Sequence, residues 1–118
     1  MHACEWNPHA AAALRRNLEL NRVEDRCTVY EGDNAVVAPK DVADRVNLGL
    51  IPSSEPGWAV GCASLKTASG GWLHVHDNVE VMPGSVSQAD SFRTRGTHIA
   101  ERLDELMRAA QAASGCVH

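Results

Sequence analysis

Short β-forming runs alternate with helical patterns along this chain, and this alternation is the feature that most limits its possible folds. The β-forming runs are predicted at residues 2–5, 27–31, 45–51 and 72–76. Helical patterns follow three of these runs, so that the predicted element order is β-α-β-β-α-β-α. Such an order is typical of an α/β fold in which a parallel sheet is built with crossover helices.

The first predicted helix has clear start signals. Asn7 is a good N-cap, and Pro8 suits the first helical position because the missing N–H has no partner there anyway. The helix is predicted to run to about residue 21, with Ala11, Leu14 and Leu18 as its buried stripe.

Two further helices are predicted. The run RVNLGLI is a strand that stops at Pro52, after which Ser53 or Ser54 can cap a helix that Gly70-Gly71 closes. The buried positions expected in that helix are Trp58, Cys62 and Leu65. A long amphipathic helix is predicted over residues 91–113. Its expected apolar face consists of Ile99, Leu103, Leu106 and Ala110.

Composition restricts the class of protein. The chain has 118 residues, enough for one domain over residues 1–118, and its net charge is −4. No apolar run is long enough to span a bilayer and no export signal is visible, so we expect a cytoplasmic protein with no membrane partner. Its four cysteines (Cys4, Cys27, Cys62 and Cys116) are therefore expected to be free thiols. A net negative chain lacks the basic stripe with which proteins neutralise phosphates, so any grip on RNA must come from elsewhere.

Glu5 is the first candidate site residue. It stands at the carboxyl end of a strand and just before a helix, where open α/β sheets bind ligands. A carboxylate at this point can accept hydrogen bonds from both hydroxyls of a ribose. The alternative is that Glu5 only favours the positive end of the following helix, and spacing does not separate the two.

Asp33 and Asn34 are the second candidates, at the end of the next strand. Asp33 could accept a hydrogen bond from an adenine amino group, and Asn34 could contact the same ring edge. The alternative is a plain Gly-Asp-Asn turn. Acids at two successive strand ends favour the nucleoside interpretation more than either does alone.

The third candidate is the segment 47–54, which reads NLGLIPSS. After the strand, Pro52, Ser53 and Ser54 would leave backbone carbonyls and hydroxyls facing a substrate, and Asn47 stands at its start. A strand followed by a capped helix is the alternative.

Other chemistry-bearing residues favour structural roles. His74 and His76 alternate on one strand and could share a metal, but a third ligand is missing, so no metal site is predicted. The tryptophans are expected mainly in core packing and the arginine pairs mainly in solvent. These are Trp6, Trp58, Trp72, Arg15, Arg16, Arg93 and Arg95.

Taken together, five segments resemble the tRNA wybutosine-synthesising aminocarboxypropyltransferase family, which is related to the tRNA guanine-N1 methyltransferases. They are ACEWNPHA with ALRRNLELN, DRCTVYEGDN, ADRVNLGLIPSSEPGW and GGWLHVHDNVE. The resemblance covers about residues 3–80. LGLIPSS is its most specific part, since it stands where the methyltransferase relatives carry a short Asn-Leu-Pro motif.

The resemblance implies a Rossmann-like class I methyltransferase fold and S-adenosylmethionine as cofactor. The implied reaction transfers its 3-amino-3-carboxypropyl group to the modified guanine 3′ of the anticodon of phenylalanine tRNA. Glu5 matches the ribose-binding acid, Asp33 with Asn34 the adenine side, and Asn47, Pro52, Ser53 and Ser54 the substrate side. No catalytic base can be named from these residues.

Departures from the family pattern predict a partial fold, with the first strand, the glycine-rich loop and the final strands missing. We therefore expect a fragment with weak activity or none. Two alternatives to aminocarboxypropyl transfer stay open: a tRNA guanine methyltransferase, and an inactive fragment that acts only through protein contacts.

Overall fold

The computed structural model describes residues 1–81, 83–84 and 87–115 of the chain. These residues form two compact units, Met1–Lys40 and Asp41–His118. Because each unit has its own strands and helices, the two are described separately. The expectation of one domain over residues 1–118 stays a prediction.

The first unit has the order β1 (His2–Glu5), α1 (Pro8–Leu20), β2 (Thr28–Glu31) and α2 (Asn34–Val37). Strands β1 and β2 are parallel, with His2 opposite Thr28 and Glu5 opposite Glu31. This register brings the carboxyl ends of both strands to the same edge of the sheet.

Helix α1 begins as its sequence predicts. The side chain of Asn7 accepts a 3.0 Å hydrogen bond from the backbone N–H of His9, and Pro8 is the first helical residue. Ala11 is fully buried, whereas Leu14 and Leu18 are half-buried. The predicted stripe therefore faces the interior of this unit, with Ala11 at its centre.

The second unit has the order β3 (Arg45–Leu48), α3 (Trp58–Ser64), β4 (Trp72–Val75) and α4 (Gln88–Gly115). Strands β3 and β4 are parallel, with Arg45 opposite Trp72 and Leu48 opposite Val75. A single 3-10 turn, Glu55–Gly57, leads directly into α3.

Helix α3 carries the core of the second unit. Trp58, Cys62 and Leu65 are buried, as the predicted spacing requires. Gly61 lets the sheet approach closely, since a Cβ there would lie 3.2 Å from a methyl carbon of Leu48. Helix α4 packs against α3. The face of α4 predicted to be apolar is half-buried, while the charged face is exposed.

Several element boundaries differ from the prediction. Strand β3 ends at Leu48 and not at residue 51, because Leu48, whose carbonyl accepts a hydrogen bond from the N–H of His76, is the last residue of β3 in the ladder with β4. Helix α3 ends at Ser64, well before Gly70-Gly71, because Leu65 adopts an extended conformation.

Two helices also differ. Helix α2 was not predicted, and it forms because Asp33 caps it. Helix α4 begins three residues earlier than expected, since Ser87 accepts a hydrogen bond from the N–H of Asp90.

The α/β class, the parallel strand pairs and the crossover helices are confirmed. The described residues form two sheets of two strands each. No helix in the described part of the chain combines the length and the apolar character that a membrane crossing needs. The predicted Cys116 thiol lies outside the described residues, whereas Cys4, Cys27 and Cys62 are free thiols.

Candidate functional site

The loops that follow β1 and β2 meet at one edge of the first sheet. The backbone N–H of Gly32 donates a 2.9 Å hydrogen bond to the carbonyl oxygen of Glu5. Gly32 has a φ of 139°, a value that favours glycine. The chain therefore turns sharply beside Glu5, and Asp33 follows one residue later.

The Glu5 side chain is half-buried and already makes one local contact. Its Oε1 accepts a 2.9 Å hydrogen bond from the backbone N–H of Asn7. No other donor of the described residues contacts this carboxylate within hydrogen-bonding distance, so Oε2 is available to a hydroxyl. The contact with Asn7 holds the carboxylate at the start of α1, as expected if Glu5 favours the positive end of that helix. The ribose interpretation requires only the second oxygen, Oε2.

Asp33 and Asn34 are both exposed. The Oδ1 of Asp33 accepts a 2.9 Å hydrogen bond from the N–H of Ala35 and so caps α2. Asn34 is the first residue of that helix. The two residues thus lie beside Glu5 at the strand ends, with local capping as the observed role of Asp33.

Trp6 lies in the short connection between β1 and α1, and 76% of its surface is exposed. Core packing was the expectation for the tryptophans, and it is wrong for Trp6 and for Trp72, which is 67% exposed. It is confirmed for Trp58, whose ring is fully buried.

In the second unit, the substrate-side candidates lie on and after β3. Asn47 is exposed on β3. Pro52 is exposed, and its carbonyl oxygen accepts a 2.8 Å hydrogen bond from the N–H of Asn78. Ser53 forms an antiparallel bridge with Asp77, and its Oγ accepts a 3.2 Å hydrogen bond from the N–H of Glu55. The loops after β3 and β4 are therefore joined by backbone contacts.

Ser54 differs from its neighbours because its side chain points into the core. Only 1% of its surface is exposed, and its Oγ accepts a 3.0 Å hydrogen bond from Nε1 of Trp58. A hydroxyl in this position satisfies a buried indole N–H. The structure thus separates Ser54, which is used internally, from Asn47 and Pro52, which face solvent.

Sequence reasoning missed an ion pair at the same strand ends. Asp77 follows β4, and only 6% of its side chain is exposed. Its Oδ2 accepts a 2.6 Å hydrogen bond from Nε of Arg95 on α4. Arg95 also lies over the ring of Trp58, 6.0 Å from its centroid. The expectation that Arg95 is a solvated charge is wrong. The one sequence feature that pointed to this ion pair is the acidic residue Asp77, which directly follows the run WLHVH.

The other titratable side chains that the structure describes form no second site. His74 contacts Nη1 of Arg45 at 3.5 Å. Within residues 1–81, 83–84 and 87–115, no three metal-ligating side chains come together. Burial raises the pKa of the Cys4 and Cys62 thiols, which disfavours the reactive thiolate.

The profile of the TRM5/TYW2 methyltransferase domain matches residues 1–94, which include all four strands and every candidate site residue named from sequence. The chain belongs to this family. The family match includes Asp77 and ends one residue before Arg95.

Curated relatives carry names of wybutosine synthesis. The tRNA wybutosine-synthesizing protein 2 homolog of Bos taurus is 61% identical over 88 residues, which are 75% of this chain and 20% of the relative. Its Danio rerio counterpart is 63% identical over 79 residues, or 67% of this chain and 19% of the relative. The tRNA wybutosine-synthesizing protein 2/3/4 of Arabidopsis thaliana is 50% identical over 109 residues, or 92% of this chain and 10% of the relative. The chain thus spans a fifth or less of these relatives. No solved structure matches it significantly.

Proposed function

We propose that this chain is part of an S-adenosylmethionine-dependent transferase of wybutosine biosynthesis. The reaction places the 3-amino-3-carboxypropyl group on the modified guanine 3′ of the anticodon of phenylalanine tRNA. The names of the relatives at 50 to 63% identity support this proposal. The fold proposed for the complete domain is a Rossmann-like parallel sheet, which is consistent with the two parallel strand pairs, and the proposed location is the cytoplasm.

The observation that carries the cofactor proposal is the hydrogen bond between Gly32 and the carbonyl of Glu5. It brings the acid at the end of β1 beside the loop that begins with Asp33. Ligands of open α/β sheets bind at such strand ends. Glu5 fits a ribose because one carboxylate oxygen is held by Asn7 while the other has no donor among the described residues.

In this proposal each residue has a distinct task. Glu5 accepts hydrogen bonds from the ribose hydroxyls, and Asp33 with Asn34 contacts the adenine edge. When bound, S-adenosylmethionine would supply an electrophilic carbon attached to its sulfonium, with the sulfur as leaving group, and the acceptor atom of the base would release its proton to water. The contribution of the protein is to bind and orient the reacting groups.

The substrate side is assigned to the segment after β3. Asn47 and Pro52 are exposed and can contact the base directly. Ser53 is half-buried, and Ser54 acts from within, since its hydroxyl is bonded to Trp58. Because the net charge of the chain is −4, the chain itself contributes little of the phosphate neutralisation that binding of tRNA requires.

The mass of the modified RNA tests the reaction. The chain is incubated with S-adenosylmethionine and an anticodon stem-loop of phenylalanine tRNA, and the RNA product is weighed by mass spectrometry. One stem-loop carries the modified guanine that aminocarboxypropyl transfer requires, and a second carries plain guanine as the acceptor for methyl transfer. Addition of an aminocarboxypropyl group supports the proposal. Addition of a methyl group supports the second candidate, a tRNA guanine methyltransferase, which the description of the matching family favours. An unmodified RNA contradicts both activities for this polypeptide and supports the remaining alternative, an inactive fragment that acts only through protein contacts.

Cofactor binding is tested separately from transfer. Titration with S-adenosylmethionine is followed by amide chemical shifts, and we expect changes at Asn7, Gly32 and Asp33. Glu5→Ala should abolish them, whereas Glu19→Ala, at an exposed position of α1, should leave them unchanged. A folded wild-type chain whose shifts do not move at millimolar ligand would contradict the cofactor site.

A further inference from the structure

One guanidinium group contacts residues on both strand-end loops of the second unit. Nε of Arg95 donates to Oδ2 of Asp77, which follows β4. The same side chain lies 3.9 Å from Oε2 of Glu55, which follows the candidate substrate segment after β3. The two loops therefore share a single cation contributed by α4.

The Arg95 side chain is coupled to the segment by a second route. Its guanidinium lies over the fully buried ring of Trp58, and Nε1 of Trp58 donates to Oγ of Ser54. Asp77 is itself bridged through the backbone to Ser53. Each serine of the segment thus contacts a partner of Arg95: Ser54 contacts Trp58, and Ser53 pairs with Asp77.

The ion pair between Arg95 and Asp77 is largely shielded from solvent. The Asp77 side chain is 6% exposed and that of Arg95 is 27% exposed. Removing one member of a largely buried pair leaves the other charge without compensation, so the loops must rearrange to hydrate it.

We propose that Arg95 is a positioning residue, which sets the geometry of the substrate segment 52–54 through Asp77 and Trp58. This inference rests on the proposed function, and it adds a determinant from α4 that lies outside the matched family range. We expect lysine to replace Arg95 poorly, because the guanidinium pairs with a carboxylate while it also lies over the indole ring, 6.0 Å from its centroid.

The test compares Arg95→Leu and Arg95→Lys with a matched control, Arg93→Leu. Arg93 is 76% exposed and pairs with Asp90 on its own helix, so its loss should have no effect on the segment. We expect both Arg95 variants to shift the amide resonances of Ser53, Ser54 and the indole resonance of Trp58. Should Arg95→Leu fail to fold, Asp77→Asn replaces it, because it removes the partner charge and keeps a similar shape.

Kinetics then separate positioning from mere stabilisation. With the stem-loop RNA as substrate, kcat/KM should fall by on the order of 10- to 100-fold in both Arg95 variants, while the Kd for S-adenosylmethionine stays at the wild-type value. Measurements are made below the melting temperature of each variant. A purely structural ion pair would lower that temperature and leave kcat/KM unchanged.

The outcomes are distinguishable. Full rescue by Arg95→Lys, or unchanged resonances of Ser53 and Ser54, would overturn the positioning role. Wild-type activity retained in Arg95→Leu would overturn it as well. A wild-type chain that modifies no RNA contradicts the transfer activity proposed for this polypeptide and not the role of Arg95. That role is then tested by the resonances alone, and it is supported if the amide resonances of Ser53 and Ser54 shift in Arg95→Lys as well as in Arg95→Leu.

Discussion

Glu5 and Gly32 are joined by a 2.9 Å backbone hydrogen bond at the carboxyl ends of two neighbouring parallel strands. This bond places the acid of the first strand beside the turn that leads to Asp33. The same edge also holds the start of α1, where the N–H of Asn7 donates to the Glu5 carboxylate. The start of the helix, the turn and the acid are therefore linked by two hydrogen bonds at one edge of the sheet.

Replacement of Glu5 by glutamine should weaken S-adenosylmethionine binding. The amide keeps an oxygen that can accept from Asn7, so α1 keeps its start, but the charge that strengthens hydrogen bonds from the ribose is lost. A hydrogen bond to a charged group contributes about 1.5–3 kcal/mol, which corresponds to a roughly 10- to 150-fold higher Kd. Isothermal titration calorimetry measures it. An unchanged Kd would show that Glu5 serves only the start of the helix.

Ser54→Ala should destabilise the second unit. The substitution leaves the buried N–H of Trp58 without its acceptor, at a cost of about 1–3 kcal/mol in the free energy of unfolding. Urea unfolding measures this loss. The matched control repeats the substitution in a Trp58→Phe background, where no indole N–H exists and the cost should be smaller. Equal losses in both backgrounds would mean that the hydrogen bond contributes nothing.

Asp41 should make the free energy of unfolding depend on pH in the acid range. Hydrogen bonds from the backbone and side chain of Thr67 hold the pKa of its carboxyl below the ordinary value, and Lys66 contributes less. Because the folded-state pKa is the lower one, this stabilisation is complete above the unfolded-state pKa of about 3.9. It is lost as the pH falls through the folded-state pKa.

Asp41→Asn tests this dependence without disturbing the backbone. Asp41 has a φ of 57°, a conformation that asparagine also adopts readily. The variant should be less stable than wild type near neutral pH, and the difference should shrink as the pH falls below about 4. Urea unfolding at a series of pH values provides the comparison. A difference that does not change with pH would exclude the carboxylate as its source.

Gly71→Ala and Gly96→Ala should change stability in opposite directions. A Cβ at Gly71 would lie 2.5 Å from the carbonyl oxygen of Asp44, so the backbone entering β4 must shift, at a cost of roughly 1–3 kcal/mol. A Cβ at Gly96 on α4 meets nothing within 4 Å, and alanine there should stabilise the helix by about 1 kcal/mol. Thermal melts of both variants check the two signs. Destabilisation by Gly96→Ala would contradict the exposed position of this residue.

The sequence by itself determined the elements and one edge of the candidate site. Periodicity and capping residues predicted the strands and three of the helices, because hydrogen bonds between near neighbours decide where an element begins. Glu5 and Asp33 were predicted to share an edge for a similar reason. Consecutive parallel strands bring their carboxyl ends together whatever the details of packing. The resemblance to the wybutosine-synthesising family and its methyltransferase relatives rested on the same local segments, and the match to the TRM5/TYW2 methyltransferase domain confirms it.

Only the tertiary structure decided which side chains of the second unit face inward. The run Pro52-Ser53-Ser54 does not reveal that the second serine turns towards an indole while the first bridges to Asp77. Arg95 and Asp77 are 18 residues apart, and their pairing depends on how α4 lies across α3. A charge pair is buried when many weak packing contacts together place it in the interior. No local pattern of residues predicts that sum of contacts.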